Sequence, residues 1–194
     1  MWTSGWGYCL SVPENSSVSS VEQTYLAIDN RSAVRNELIS GRTVAMSGAS
    51  RRHNQVAMNC GFALRSMATG SKCRTMMETV RLRIDENNSF YPDIMVACEP
   101  NDDTHAEHRP CLIVEILSPF TSWVDNGRKR AVYMELDSLR HYLLVDLQNQ
   151  LIEHLSRETA GTDWTRTLHG FGDHLELHCP EGELSVNAVF ADQG

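Results

Sequence analysis

Two carboxylates, Asp93 and Glu115, interrupt runs of otherwise apolar residues, "YPDIMVAC" and "CLIVEILSP". Ionised carboxylates rarely lie in buried strands without a partner, because removing their charge from water is costly. If 91–98 and 111–118 pair as antiparallel strands, the midpoint of their connection places Asp93 opposite about residue 116, one position from Glu115. A slip of one residue would turn either side chain to the other face, so the pattern predicts proximity and leaves side-chain direction open.

Two carboxylates at close range raise each other's pKa unless a cation neutralises them. An all-oxygen site suits Mg²⁺ or Mn²⁺, which retain several waters and can share a substrate phosphate. Such an ion activates water and stabilises the charge of an in-line phosphoryl displacement. The alternative is that one acid pairs with an arginine while the other lies at a strand end, and these residues alone do not decide between the two.

A lysine on the following helix could complete the site. Asp125, Lys129 and Tyr133 are spaced by four residues and therefore share one helix face. The Lys129 ammonium could reach back to the acids, orient a water or stabilise phosphate charge. The alternative is an ordinary surface pair between Asp125 and Lys129, worth a few tenths of a kcal/mol.

These residues must be positioned by elements that alternate between helix and strand. The periodicity predicts two early helices on either side of a hairpin that turns near Gly41, with Gly70 ending the second helix. The predicted elements are helices over 21–35, 52–69 and 125–138, and strands over 79–84, 91–98, 111–118, 141–147 and 150–157, with further short strands in the tail. This order predicts a single α/β domain over residues 21–194, preceded by a polar N-terminal extension over residues 1–20.

Composition limits the classes of function. The chain has 194 residues, 41% hydrophobic and 22% charged, as in ordinary globular proteins. It has no apolar run near the roughly 20 residues of a membrane-spanning helix, and its N-terminus is a poor signal peptide. We therefore expect a cytoplasmic protein with no membrane partner. The six cysteines form no CxxC pair, and their even number could suggest disulfides. Because Cys60, Cys98 and Cys111 fall at expected apolar core positions, we expect reduced, packed thiols instead.

The net charge of -8 argues against a broad basic surface for nucleic acid. Two short basic strips, "RR" at 51–52 and "GRKR" at 127–130, are the local candidates for phosphate contacts. Solvated helix faces are the alternative interpretation of such short clusters.

Four ordered blocks resemble the Uma2 family of restriction-endonuclease-like proteins, in the PD-(D/E)XK nuclease superfamily. The blocks are "PDIMVAC", "LIVEILSPFT", "DNGRKRAVY" and "SLRHYLLVD". Upstream, "NELISGRTVAMSGASRRHNQVAMNCGFALR" looks like the family's Glu-Leu-Ile-x-Gly hairpin followed by a histidine-led helix, which begins near His53 here. The resemblance covers about residues 21 to 190 and implies an α/β, restriction-endonuclease-like core, a central mixed β-sheet flanked by helices.

The resemblance also assigns roles. It implies that Asp93 and Glu115 are metal ligands for Mg²⁺ or Mn²⁺, and that Glu37 completes the acidic cluster. The simplest superfamily pattern has a lysine two residues after the second acid, where this chain has Leu117. Lys129 looks like the relocated equivalent, as is general in members of this type.

The sequence thus predicts a Mg²⁺-dependent endonuclease that hydrolyses phosphodiester bonds, with DNA as the expected substrate. A homodimer would suit cleavage of two strands, although no residue pattern requires one. The alternative is a catalytically inactive nuclease-fold protein that serves as a binding or assembly module. A third interpretation is a structural protein whose acids form only salt bridges.

Overall fold

A mixed sheet of six strands forms the centre of the protein. The computed structural model describes residues 19–46, 48–117 and 123–192, with only the backbone described for 123–126. In spatial order the strands of this central sheet are β11 (Thr165–His169), β10 (Leu151–Ser156), β9 (His141–Asp146), β8 (Leu112–Leu117), β6 (Ile94–Ala97) and β3 (Arg74–Met77). The β8–β9 pairing is parallel and the other four pairings are antiparallel.

A second, smaller sheet carries the early hairpin. Its strands, in spatial order, are β2 (Arg42–Ala45), β1 (Asn36–Ile39), β5 (Ser89–Phe90), β4 (Arg81–Arg83) and β7 (Ala106–Glu107). The predicted turn near Gly41 is confirmed: Ser40 and Gly41 form a two-residue loop with φ of 50° and 78°. Positive φ at both positions is the requirement of the tight hairpin turn whose twist matches the strands, and glycine satisfies it without steric cost.

Four helices and a C-terminal hairpin complete the described residues. The helices are α1 (Ser20–Asp29), α2 (Arg51–Ala68), α3 (Trp123–Met134) and α4 (Val186–Val189), and the hairpin consists of β12 (His174–His178) and β13 (Glu181–Ser185). Ser50 caps α2 by accepting a hydrogen bond from the His53 backbone N–H at 3.1 Å. α3 supplies the crossover that the parallel β8–β9 pair requires.

Both faces of the central sheet are buried. Along β9, Leu143 and Val145 pack in the cluster that includes α2, whereas Tyr142 and Leu144 pack in the cluster that includes Tyr133 of α3. This alternation explains why β8 and β9 read as continuous apolar runs rather than as alternating strands. The predicted class, an α/β core with a mixed sheet flanked by helices, is confirmed.

Several predicted elements have different limits. The first helix ends at Asp29, six residues before the predicted end, because the chain turns into β1. The strand predicted over 79–84 is the shorter β4, and β3 was not predicted. Residues 1–18 of the predicted extension lie outside the described residues. Within the described ranges, none of the helices combines the length and hydrophobicity needed to cross a bilayer.

The cysteines differ from the expectation. Disulfides join Cys73 to Cys98 and Cys111 to Cys179, so the prediction of reduced thiols is wrong for these four. Cys60 is a free, buried thiol, as predicted, and Cys9 lies outside the described residues. Positions 25 and 68 residues apart carry no local signal of pairing, because only the fold brings them together.

A buried histidine pair links β9 to β10. The His178 backbone N–H donates to His141 Nε2 at 3.0 Å, so the proton of that ring lies on Nδ1, which contacts His154 Nε2 at 2.9 Å. Both rings are therefore neutral. Burial lowers the pKa of His141 from its ordinary value of 6.5 to about 3 and the pKa of His154 to about 4.

Acid should therefore destabilise the fold through this pair. Below about pH 6.5 both histidines bind protons in the unfolded chain, whereas in the folded chain they stay neutral until the pH is much lower. The free energy of unfolding therefore falls as the pH drops from about 6.5 towards 4. Urea titrations should show His154→Gln removing on the order of 2 kcal/mol of that fall. His105→Gln, in an exposed loop, is the matched control. Equal pH dependence in all three proteins would contradict the prediction.

Candidate active site

The two acids of the sequence hairpin meet at one end of β6 and β8. The predicted antiparallel pairing is confirmed, with Ile94 opposite Val114. Continued by one residue, this register places Asp93 directly opposite Glu115. The long connection absorbs the one-residue difference from the predicted midpoint.

Asp93 is fixed by two contacts. Its Oδ2 accepts the Ile116 backbone N–H at 2.6 Å and lies 3.3 Å from His53 Nε2 in the first turn of α2. The hydrogen bond to Asp93 raises the pKa of His53, against the effect of burial. Among the described residues, the other ring nitrogen, His53 Nδ1, is buried without a hydrogen-bond partner.

Glu78, which the sequence analysis missed, joins this side of the site. One carboxylate oxygen each from Glu78 and Asp93 and a ring nitrogen of His53 lie within 4.8 Å of one another. The Glu78 backbone N–H also donates to the Asp93 carbonyl oxygen at 3.2 Å, and its φ of 26° is unusual for a residue other than glycine. Glu78 follows β3, a strand that the sequence analysis did not predict, so nothing in the sequence indicated that Glu78 lies near Asp93 and Glu115.

Lys129 connects the remaining predicted residues. Its Nζ lies 2.8 Å from Glu37 Oε1 and 3.7 Å from Glu115 Oε1, and its side chain is only 13% exposed. Glu37 is held in turn by the Tyr91 backbone N–H, which donates to the same Oε1 at 3.0 Å. The surrounding carboxylates raise the pKa of Lys129 against the opposing effect of burial, so the lysine stays a cation.

The charged form of Glu115 is destabilised by its surroundings. Burial raises its pKa from 4.5 to about 7; Lys129 opposes this rise, whereas Asp93 and Glu37 add to it. The raised pKa of Lys129 and the raised pKa of Glu115 are consistent with each other. Several carboxylates stabilise the single ammonium, whereas that ammonium neutralises only part of the charge on each carboxylate. Tyr133, four residues after Lys129 on α3, donates its hydroxyl to Glu115 Oε1 at 2.9 Å. The four-residue spacing from Lys129 had placed Tyr133 on the same helix face in the sequence analysis. The side chain of Asp125, the third residue of that spacing, lies outside the described residues.

The structure thus brings all four predicted residues together and adds three more. The predicted residues are Glu37, Asp93, Glu115 and Lys129, and the added residues are His53, Glu78 and Tyr133. When ionised, four carboxylates against one ammonium and one imidazolium leave an excess of two negative charges. Carboxylate oxygens with an imidazole nitrogen are donors that suit Mn²⁺ well and, through the oxygens, Mg²⁺. The residues therefore fit a divalent cation.

Two proteins of Synechocystis sp. are similar in sequence to this chain over most of its length. The chain is 30% identical over 158 residues to the uncharacterized protein sll1609 of Synechocystis sp., covering 79% of this chain and 88% of that one. It is 28% identical to a second Synechocystis protein, the uncharacterized slr1290, over 87% of this chain and 90% of that one.

A solved structure, titled "a putative nuclease belonging to DUF820" from Anabaena variabilis, has the same fold. Its TM-score is 0.69 at 16% identity, over 88% of this chain and 97% of that chain. The family model that matches, over residues 22–188, is Uma2, described as "Putative restriction endonuclease". Because this match covers most of the chain, the protein belongs to the Uma2 family.

Proposed function

We propose that the protein is a Mg²⁺- or Mn²⁺-dependent endonuclease that hydrolyses phosphodiester bonds in DNA. The observation that carries the proposal is the contact of Lys129 with both Glu37 and Glu115, beside Asp93. A buried ammonium among carboxylates at the end of two strands combines a cation for phosphate with anions for a metal. The proposal is supported by the family, which is described as "Putative restriction endonuclease", and by a fold shared with a solved structure that is described as "a putative nuclease".

Asp93 and Glu115 would hold the metal, with Glu78 and His53 as neighbouring donors. A bound divalent ion supplies Lewis acidity and lowers the pKa of a coordinated water. The chain's own contribution is orientation. The Ile116 N–H fixes one oxygen of Asp93, and the Tyr133 hydroxyl fixes one oxygen of Glu115, so neither carboxylate has to reorganise when the ion binds.

Lys129 acts as a fixed positive charge. Because the carboxylates keep it protonated, it cannot serve as the base that deprotonates water. It can instead donate hydrogen bonds to a nonbridging phosphate oxygen or to the attacking water. Glu37 holds the ammonium in place at 2.8 Å, and this contact explains the need for a buried glutamate on β1.

DNA would be held by local basic residues rather than by the whole surface. Arg51, at the start of α2, and Arg128, beside Lys129 on α3, are exposed next to elements that carry the site. They are suited to phosphate contacts, which position nucleic acid without reading its sequence. Cleavage of both strands would need two such sites, so a homodimer belongs to the proposal, and light scattering in solution tests it.

The direct test is incubation of plasmid and single-stranded DNA with the protein and Mg²⁺ or Mn²⁺. We expect nicked or linear plasmid with metal and none with excess chelator. Lys129→Ala, assayed beside the wild type, should lose cleavage by about 10²-fold or more. No metal-dependent cleavage of either substrate, or equal cleavage by the variant, would remove the assignment.

One observation favours a second candidate function, a catalytically inactive binding or assembly module. Lys129 already neutralises part of the charge on Glu37 and Glu115 without any metal. Isothermal titration with Mn²⁺ separates the two functions. Binding that is lost in Asp93→Ala supports the nuclease, whereas no binding at millimolar Mn²⁺ supports the module.

A further inference from the structure

Four cysteine sulfurs converge at the end of the central sheet opposite the candidate active site. Cys98 directly follows β6, whose other end carries Asp93, and Cys111 directly precedes β8, which carries Glu115. Cys73 precedes β3, and Cys179 lies in the turn between β12 and β13. The same two strands therefore hold the acids at one end and thiols at the other.

The sulfurs form one cluster rather than two separate pairs. Besides its bond to Cys73, Cys98 Sγ lies 3.1 Å from Cys179 Sγ and 3.6 Å from Cys111 Sγ. The ligand atoms of Cys73, Cys98 and Cys179 all lie within 4.8 Å of one another. Two structural disulfides need no such proximity to each other.

We propose that, in the reduced protein, Cys73, Cys98, Cys111 and Cys179 bind a structural Zn²⁺ ion through four thiolates. Tetrahedral coordination with Zn–S bonds of about 2.3 Å places sulfurs about 3.8 Å apart. Two distances between sulfurs of different disulfides, 3.1 Å and 3.6 Å, are shorter than this separation, so only small side-chain movements after reduction are needed to reach it. Four thiolates form a closed site, which is typical of structural rather than catalytic zinc.

The chemistry balances with a dithiol as reductant. Each disulfide takes two electrons and two protons from one dithiol and yields two thiols, while the dithiol becomes a disulfide. The four thiols then release four protons on binding one Zn²⁺. The complex carries a net charge of two minus, and Lys72 and Arg74, on either side of Cys73, supply nearby positive charge.

A metal bound by the four cysteines would crosslink the central sheet, the connection 99–110 and the C-terminal hairpin. It would close the connection 99–110 at its base, since Cys98 and Cys111 bracket that segment. It would also tie the C-terminal hairpin to β3, β6 and β8 through Cys179. The ion is thus proposed for stability, independently of the oxygen-rich site in which Asp93 lies, and its presence does not depend on nuclease activity.

The test uses the full chain, reduced with a phosphine and titrated anaerobically with Co²⁺ and then with Zn²⁺. Co²⁺ is expected to give intense sulfur-to-metal charge-transfer absorption, which carboxylate and imidazole ligands do not produce, and Zn²⁺ should displace it at about one ion per chain. Cys98→Ser should lower the affinity by more than about 100-fold, since loss of a ligand exceeds the effect of outer contacts. Cys60→Ala, a thiol outside the cluster, is the matched control.

A second measurement needs no variant. Intact-mass analysis after alkylation should show four thiols protected by Zn²⁺ in the reduced wild type and labelled once a chelator is added. Absence of the charge-transfer band in the reduced wild type, or a Co²⁺ affinity of Cys98→Ser equal to that of the wild type, would overturn the proposal and leave two disulfides as the role of these residues. Asp93→Ala should keep the band, so failure of this proposal is distinct from failure of the nuclease assignment.

Discussion

Replacement of Asp93 by asparagine is expected to reduce metal-dependent DNA cleavage by about 10³-fold or more. The amide removes the negative charge that would bind the cation and the anion that pairs with His53. It retains an oxygen that can accept the Ile116 N–H, now 2.6 Å from Asp93 Oδ2, so the strand end should keep its geometry. Cleavage of supercoiled plasmid under single-turnover conditions measures the loss.

Asp102→Asn is the matched control, because it makes the same chemical change at an exposed loop carboxylate. It should cleave like the wild type. Mn²⁺ affinity separates catalysis from structure: Asp93→Asn should weaken Mn²⁺ binding, whereas an acid that serves only salt bridges predicts altered stability with unchanged metal affinity. Cleavage by Asp93→Asn at the wild-type rate would refute the role of Asp93.

The sequence predicted that the central residues of the candidate site lie close together, because these residues belong to strongly patterned elements. The apolar runs containing Asp93 and Glu115 identified two strands, and their hairpin arithmetic was correct to within one residue. The four-residue spacing on α3 placed Lys129 and Tyr133 on one face, and both now contact Glu115. Regular periodicity fixes which side chains share a face, so such contacts are predictable.

Glu78 shows what periodicity cannot supply. It lies just after the four-residue β3, in a turn whose backbone adopts an unusual φ. Short edge strands carry too few residues for a two-residue repeat to be recognised. Its position beside Asp93 depends on the pairing of β3 with β6, a contact between segments that the sequence gives no means to pair.

The division into two sheets was also beyond local reasoning. The early hairpin pairs with β5 rather than with the central sheet, and a single residue pair, Leu38 with Ser89, records that pairing. This contact nevertheless positions Glu37, since its neighbours on β1 are held by the second sheet. The four converging cysteines are a similar case, because each lies at the end of a different element.

Lys129→Met is expected to lower the free energy of unfolding by about 3 to 5 kcal/mol, since removing one partner leaves buried charge uncompensated. Methionine keeps most of the side-chain length, so the change is chiefly one of charge. Glu37 and Glu115 are only 8% and 11% exposed, and water can replace little of the lost interaction. Arg128→Met, at the exposed neighbouring position, is the matched control and should change stability by about 0.5 kcal/mol or less. Equal stability of the two variants in urea titrations would contradict the prediction.

Lowering the pH or adding Mn²⁺ tests whether Lys129→Met loses stability because of uncompensated charge. Lowering the pH protonates Glu115, whose pKa burial raises to about 7, so the stability difference from the wild type should shrink as the pH falls from about 7 towards 5. Mn²⁺ should also raise the melting temperature of Lys129→Met more than that of the wild type, because the variant lacks the competing ammonium and a ligand that binds more tightly stabilises the folded state more. A packing defect would respond to neither. If Mn²⁺ restores stability while cleavage stays lost, Lys129 has two separable roles: it neutralises the acids before the metal binds, and it stabilises phosphate charge afterwards.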